Sequence, residues 1–335
     1  MRDEGLRYCP KKRGKPKKYG KGKRGDGLPE ELQRRTDRLE KIRQARKEME
    51  AEAAACHARG RQEQADEAMR AVEEADPERK DQLQKQADRA AEKVEAARNL
   101  AIETAEVAGV EAPDLEPLAA DAMPRRGLPR NAAGVPDAKV QRNFTDPDSH
   151  IMKRDNTFIQ GYNCQAAVDS DHLIIVAIGV SNQPPDVEHH APMLERIVAN
   201  TGTVPTAVTE DAGYWSEENV ESCISRGIDP YIATGRLKHG QPPPPSRGPI
   251  PRNLDATGRM GRKLRSKKGR ETYARRKTIV EPVFGQTKEA RGMRRFLLRG
   301  LEKVNGEWSL WSTTHNLLKL FRFRRATPEL APATG

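Results

Sequence analysis

Apolar positions are spread unevenly along this chain, and their spacing changes three times. Residues 1–28 show no periodicity and are basic and glycine-rich, which predicts a disordered linker. In residues 29–108, Leu39, Ile42, Met49, Ala53 and Cys56 fall at heptad-like intervals, as do Leu83, Ala87, Ala90, Val94 and Ala97. This pattern predicts a helical hairpin or coiled-coil-like arm of two or three helices, broken at Gly60 and Pro77. Most of its apolar positions are alanines, too small to bury a strong core. Residues 109–140 carry Pro113, Pro117, Pro124, Pro129 and Pro136 and predict a linker.

From about residue 141 the pattern becomes globular and runs so to residue 325, leaving 326–335 as a tail. Residues 157–168 have strand character. A turn at 169–171 leads into the almost continuous apolar run 172–180, which predicts a central strand buried on both faces, with Leu173, Ile174, Ile175, Val176 and Ile178 among its least exposed residues. An amphipathic helix follows over 187–199, with Met193, Leu194, Ile197 and Val198 inward. A short strand at 206–209 ends in Glu210-Asp211, Ser216 caps a helix through Ser225, and 229–233 is a further strand. Residues 236–270 form a long basic insertion with few apolar positions, a loop of a length that is functional or disordered. The alternation predicts an α/β unit, with strand 172–180 at the centre of its sheet.

Charge sharpens this picture. The 335 residues hold 60 Lys and Arg against 49 Asp and Glu, a net +11, and mean hydropathy is −0.86. Bases cluster at 7–24, 236–277 and 288–325, while 29–120 is mixed or acidic, so a polyanionic partner, most simply nucleic acid, fits the C-terminal half. Cys9, Cys56, Cys164 and Cys223 are scattered without metal spacing and point to a reducing, cytoplasmic compartment. His189-His190 reads as a solvated helix start. No apolar run is long enough to span a membrane, and the N-terminus has no apolar signal segment.

Residues 273–296 concentrate candidate chemistry. Glu281 sits among Arg275, Arg276, Lys277, Lys288, Arg291, Arg294 and Arg295, while Ile279, Val280, Val283 and Phe284 supply an apolar stripe. In a helix running through from Tyr273, steps of about 100° per residue place Lys277, Glu281 and Lys288 on one face. That arrangement could hold a metal on the carboxylate and phosphates on the cations. A second reading stands beside it: Thr278-x-x-Glu281 is a capping-box pattern and Pro282 suits a first turn, so the helix would start near Thr278 and Glu281 would serve its backbone. Asp211, ending a short strand, is open to the same two readings, as a ligand at a strand's carboxyl end or as a turn cap.

The blocks at 143–153 (NFTDPDSHIMK), 161–169 (GYNCQAAVD), 209–219 (TEDAGYWSEEN) and 280–310 (VEPVFGQTKEARGMRRFLLRGLEKVNGEWSL) resemble insertion-sequence transposases of the DDE type over roughly 140–320. The resemblance implies a partial ribonuclease-H-like core, a mixed sheet with flanking helices, preceded by the helical hairpin. In that family two Asp and one Glu bind two divalent ions, Mg²⁺ or Mn²⁺, for DNA strand nicking and transfer at element ends. By resemblance Asp211 is the second aspartate and Glu281 the glutamate. Tyr273, Glu281 and Lys288 match the Tyr-Arg-Glu-Lys signature, whose arginine is Arg276 by its offset from Tyr273 or Lys277 by its offset from Glu281. Tyr273, Arg276, Lys277, Lys288, Arg291, Arg294 and Arg295 are the expected DNA contacts by that resemblance. The expected partners are element ends and target DNA, with a homo-oligomer assembled on DNA near the nucleoid and no membrane.

The resemblance implies three antiparallel strands before the first helix, the first bearing an aspartate; two precede the helix at 187–199, so that strand is expected upstream, and residues 1–140 offer none. The sequence therefore reads as an N-terminally truncated transposase. Asp146, Asp148 and Asp169 are substitutes for the missing acid. Two further readings remain: a catalytically inactive DNA-binding remnant, and a basic nucleic-acid-binding protein without a metal site.

Overall fold

The computed structural model describes residues 35–115, 119–154, 157–235, 248 and 254–326. The expected basic segment 1–28 and most of the insertion before 254 lie outside them. The chain divides into two compact units, one comprising 1–118 with 127–144, the other 119–126 with 145–335.

The first unit is built on α1 (Arg35–Glu73) and α2 (Pro77–Ala108). Gly60 does not break α1. A single interior glycine costs about 1 kcal/mol, less than losing a helix that packs along α2. Pro77 stands where its missing N–H costs nothing, at the start of α2, and Gly109 (φ 67°) closes that helix with its N–H on the carbonyls of Ala105 and Glu106. The seam is alanine: Ala54, Ala58, Ala97 and Ala101 form its core, with Leu100 and Leu115 against it. Leu39 and Ile42, at the far end of the heptad pattern, are 48% and 47% exposed. Residues 127–144 belong to this unit, where Arg142 bridges Glu48 (3.1 Å) and Glu52 (2.9 Å) on α1.

The second unit is mixed α/β. Its strands are β1 (His150–Arg154), β2 (Thr157–Gly161), β3 (Asn163–Val168), β4 (Ile175–Ser181), β5 (Ala207–Glu210) and β6 (Asp229–Ile232). They pair as the antiparallel ladders β1–β2 and β3–β4 and the parallel ladder β5–β6. The expected single strand 157–168 is thus two, divided at Tyr162, and β1 is an addition the hydrophobic pattern did not carry.

The expected central strand is corrected in two ways. It begins at Ile175, because Leu173 takes a left-handed backbone (φ 58°) in the turn that Asp169 organises. Among the described residues its one ladder partner is β3, so it is not the middle of a continuous hydrogen-bonded sheet. Of the five residues expected to be least exposed, Ile175 alone is buried, and Ala177, Gly179, Val180 and Ser181 take the deepest places instead.

Helix α7 (Leu301–Ala326) covers β4. Trp308 and Val304 pack on Val180 and Met293, Phe284 stacks on Trp308 at 6.0 Å, and the Trp308 indole donates to the Gln165 carbonyl at 3.0 Å. On β4, Ala177 packs with Met193 of α3 (His190–Thr201). Leu194 of the same helix packs with Cys223 of α4 (Glu217–Ser225), which Ser216 caps by accepting from Asn219 N–H. The basic insertion ends earlier than expected. Asp255 caps α5 (Ala256–Arg265) and Ser266 caps α6 (Lys267–Gly285), so 256–265 and 267–270 are helical, with Ser266 extended between them.

Candidate active site

A cavity of about 670 Å³ opens between β3, β5, α3 and α6. Asp211, next after β5, stands at its rim with its side chain exposed and Oδ1 accepting from Gly213 N–H at 2.9 Å. Asp186, which the sequence did not single out, stands beside it. A Cβ built on Gly213 would lie 2.6 Å from Asp186 Oδ2 and 3.1 Å from Asp211 Oδ1, so those two oxygens are close neighbours. That crowding also explains the glycine at 213. Asp186 accepts from Asn163 Nδ2 at 2.7 Å and Gln165 Nε2 at 2.9 Å. The signal available for it was weak: a lone Asp after two prolines.

Behind the rim lies a polar network. His190 is fully buried, its Nδ1 2.9 Å from both Glu210 oxygens and its Nε2 3.3 Å from Cys223 Sγ. Burial disfavours the imidazolium, but the bonds to Cys223 and Glu210 outweigh it and push the His190 pKa up to about 9. His189 is also fully buried, and desolvation lowers its pKa. The expectation of a solvated histidine pair is therefore corrected. α3 starts inside the unit, where Cys223 and Glu210 give His190 the partners that water would otherwise supply.

Glu281 lies on α6, exposed, and the capping-box reading fails for it. The helix starts fourteen residues earlier, at Lys267, with Ser266 accepting from Gly269 N–H, and Thr278 Oγ1 donates back to the Arg275 carbonyl instead of capping. Pro282 lies inside the helix, which passes into a π-helical turn over Gln286–Ala290. Tyr273, Lys277 and Glu281 follow one another at four-residue steps on one face. The cavity is lined by another face, with Arg276, Ile279, Val280 and Phe284. Counting about 100° per residue, Glu281 is roughly 140° around the helix from Arg276, and it is not in the cavity lining that contains Asp211.

The expected DNA-contacting cations divide into two sets. Lys277, Lys288 and Arg295 are exposed, Lys288 lying 5.5 Å over the Phe284 ring. Arg294 is ion-paired with Glu289, Arg291 is half-buried and donates to the Thr314 carbonyl, and Arg276 lies 5.6 Å over the Tyr273 ring. The substitute acids are all engaged by backbone. Asp146 accepts from Gly300 N–H and from the Tyr162 hydroxyl, and Asp148 from Leu301 N–H, together closing the start of α7. Asp169 accepts from Asp171, His172 and Ile174 N–H groups. Burial works against its charge, yet those donors hold its carboxyl below the usual range. Among the described residues, no group of three or more His, Cys, Asp or Glu side chains is placed to hold a metal ion. The rim's two neighbouring aspartates suit a hard divalent ion in kind, but the residues present do not make a complete site.

Compared with known families, residues 133–317 match the transposase DDE domain. This match covers more than half of the chain. The chain belongs to the DDE transposase family. Nothing among curated proteins or solved structures matches it. The DDE domain is ribonuclease-H-like, in keeping with the mixed α/β unit, and the family generally uses a divalent metal and acts on DNA. No helix among the described residues of this DDE transposase chain is long and apolar enough to cross a membrane.

Proposed function

We propose that this chain handles DNA as an insertion-sequence transposase does, with Asp211 and Glu281 as metal-binding carboxylates and, because Glu281 lies outside the cavity lining that holds Asp211, with an incomplete ligand set that leaves strand nicking feeble or absent. The observation carrying this reading is the place of Asp211 within the matched DDE domain. It is an exposed carboxylate at the carboxyl end of β5, on the rim of the cavity, beside a second aspartate. Glu281 is supported by its release from any capping role. It has no protein partner among the described residues, and Lys277 shares its face.

A divalent ion bound there would supply charge stabilisation to a phosphoryl group during in-line displacement. The chain's own residues do the rest. Exposed Lys277, Lys288 and Arg295 hold the phosphate backbone without reading sequence. Arg294, ion-paired with Glu289, and Arg291, half-buried and bonded to the Thr314 carbonyl through one guanidinium nitrogen, contribute less than their sequence positions suggest.

The remnant reading, DNA binding without cleavage, is favoured by the lack of a three-ligand cluster among the described residues. One experiment separates the two. Supercoiled plasmid is incubated with the purified chain and Mg²⁺ or Mn²⁺, and Mn²⁺ binding is followed by paramagnetic resonance. The expected result is nicking near background, with weak Mn²⁺ binding that Asp211→Asn and Glu281→Gln each reduce. Vigorous metal-dependent nicking would contradict the incomplete site. Mn²⁺ binding untouched by both substitutions would remove Asp211 and Glu281 from it.

A further inference from the structure

Helix α7 buries one face and leaves the opposite face apolar as well. Val304, Trp308 and His315 are buried, and the first two belong to the core over β4. Counting about 100° per residue, Gly306, Leu317 and Phe321 all lie within about 40° of Leu310, while Val304, Trp308 and His315 lie about 120–160° away. On this outer face Leu310 is 67% exposed, Leu317 60% and Phe321 56%, with exposed Leu320 on the flank. None of the four belongs to a core cluster among the described residues. Their spacing is that of a helix seam, not of scattered surface residues.

Gly306 points the same way. Inside a helix glycine is weaker than alanine, and a position that keeps it serves a close approach. A Cβ built on Gly306 would meet nothing within 4 Å, so nothing in this chain makes that approach. At about 150–250 Å² for a large side chain in full exposure, Leu310, Leu317, Leu320 and Phe321 present roughly 400 Å² of apolar surface. Two copies face to face hide about 1,000 Å² once neighbouring polar side chains are counted, the size at which a specific interface becomes stable. Charge decides the direction. Arg322, Arg324 and Arg325 crowd the last turns of α7, and Glu302 is exposed in its first turn. Parallel pairing would bring both basic ends together, whereas antiparallel pairing sets each beside the other copy's Glu302.

We propose that α7 is a homodimer seam, in which two copies of this chain pair their α7 helices antiparallel about a two-fold axis between Thr313 and Thr314. Leu310 of each copy packs on Leu317 of the other. Phe321 of each covers Gly306 of the other, where the missing side chain leaves room, and Arg324 reaches Glu302. Every contact occurs twice, as a two-fold axis requires. The expectation of an oligomer assembled on DNA named no surface. This seam forms without DNA or metal, so its failure would leave the nicking experiment untouched.

The test is the oligomeric state of the full chain without DNA or metal, followed by sedimentation velocity over a range of protein concentrations. A concentration-dependent dimer is expected. Leu310→Glu and Leu317→Glu should each weaken it by about tenfold or more, with helical circular dichroism unchanged. Ile224→Glu, at an exposed apolar position on α4, should leave it intact. Gly306→Leu gives a reading that a folding defect does not imitate. It should raise the thermal stability of the dilute monomer while weakening the dimer by about tenfold. Mild oxidation reads the direction. Thr313→Cys, beside the two-fold axis, should form a disulfide-linked dimer beyond any formed by the parent chain. Two copies of Lys303→Cys lie about 30 Å apart in the antiparallel seam and should form none. A chain that stays monomeric at the highest concentration, a dimer indifferent to both glutamates, or cross-linking through Lys303→Cys as strong as through Thr313→Cys would overturn the proposal.

Discussion

At the scale of single residues, the most consequential side chain is one whose role the sequence pattern hid. His190 was legible as part of a helix start, but its burial depended on Cys223 and Glu210, which are 33 and 20 residues away and unrelated by any motif. Its folded pKa of about 9 lies above the unfolded value of about 6.5. The sign follows: the network contributes its full stability below about pH 6.5 and loses it as pH rises through 9, a contribution on the order of a few kcal/mol. Thermal denaturation at pH 6 and pH 9.5 should show the chain less stable at the higher pH, and His190→Gln should flatten that difference. Glu281 offers the opposite case, a residue whose chemistry was legible but whose backbone role was ambiguous. Since α6 begins at Lys267 and is capped by Ser266, Glu281→Ala should change urea-denaturation stability by no more than about 0.5 kcal/mol, as for an exposed surface position. A loss of about 1 kcal/mol or more would restore the capping role.

Among elements, long periodic stretches were readable and their ends were not. The amphipathic spacing identified α3 and the alanine-rich arm correctly in kind. Gly60 and the Thr278–Pro282 segment misled because local breaker signals are worth about 1 to 3 kcal/mol, which tertiary packing of a long helix can exceed. The apolar run 172–180 foretold a strand, but sequence holds no record of which edges are paired, so its isolated pairing with β3 could not be seen. The turn at Leu173 depends on Asp169 and on His315, which lies 2.9 Å from the Leu173 carbonyl across 142 residues of chain. In the arm, Ala101 is fully buried where α1 and α2 meet. Ala101→Leu should destabilise this unit by about 1–3 kcal/mol through overpacking, seen as a lower-temperature helical transition in circular dichroism. An unchanged transition would mean that the alanine seam is not tightly packed.

For the whole molecule, the ordered blocks around Asp211 and Glu281 made the family readable, because several short motifs in fixed order are far more specific than any one of them. The candidate site was legible only in part. Asp211 was readable as the residue that follows β5 at the cavity rim, whereas Asp186 was invisible, since it joins the rim through Asn163 and Gln165 and not through sequence spacing. The central claim is that the chain holds DNA through exposed cations, by charge and not by sequence. Its most direct test is duplex affinity measured against salt concentration, using one chosen sequence and a random duplex of equal length. With Lys277, Lys288 and Arg295 as three phosphate contacts, affinity should fall by about fortyfold between 50 and 200 mM salt, equally for both duplexes. Reversing the charge of Lys277 or Lys288 should lower the slope by about one contact each. Binding that ignores salt, or that strongly prefers the chosen sequence, would contradict the account.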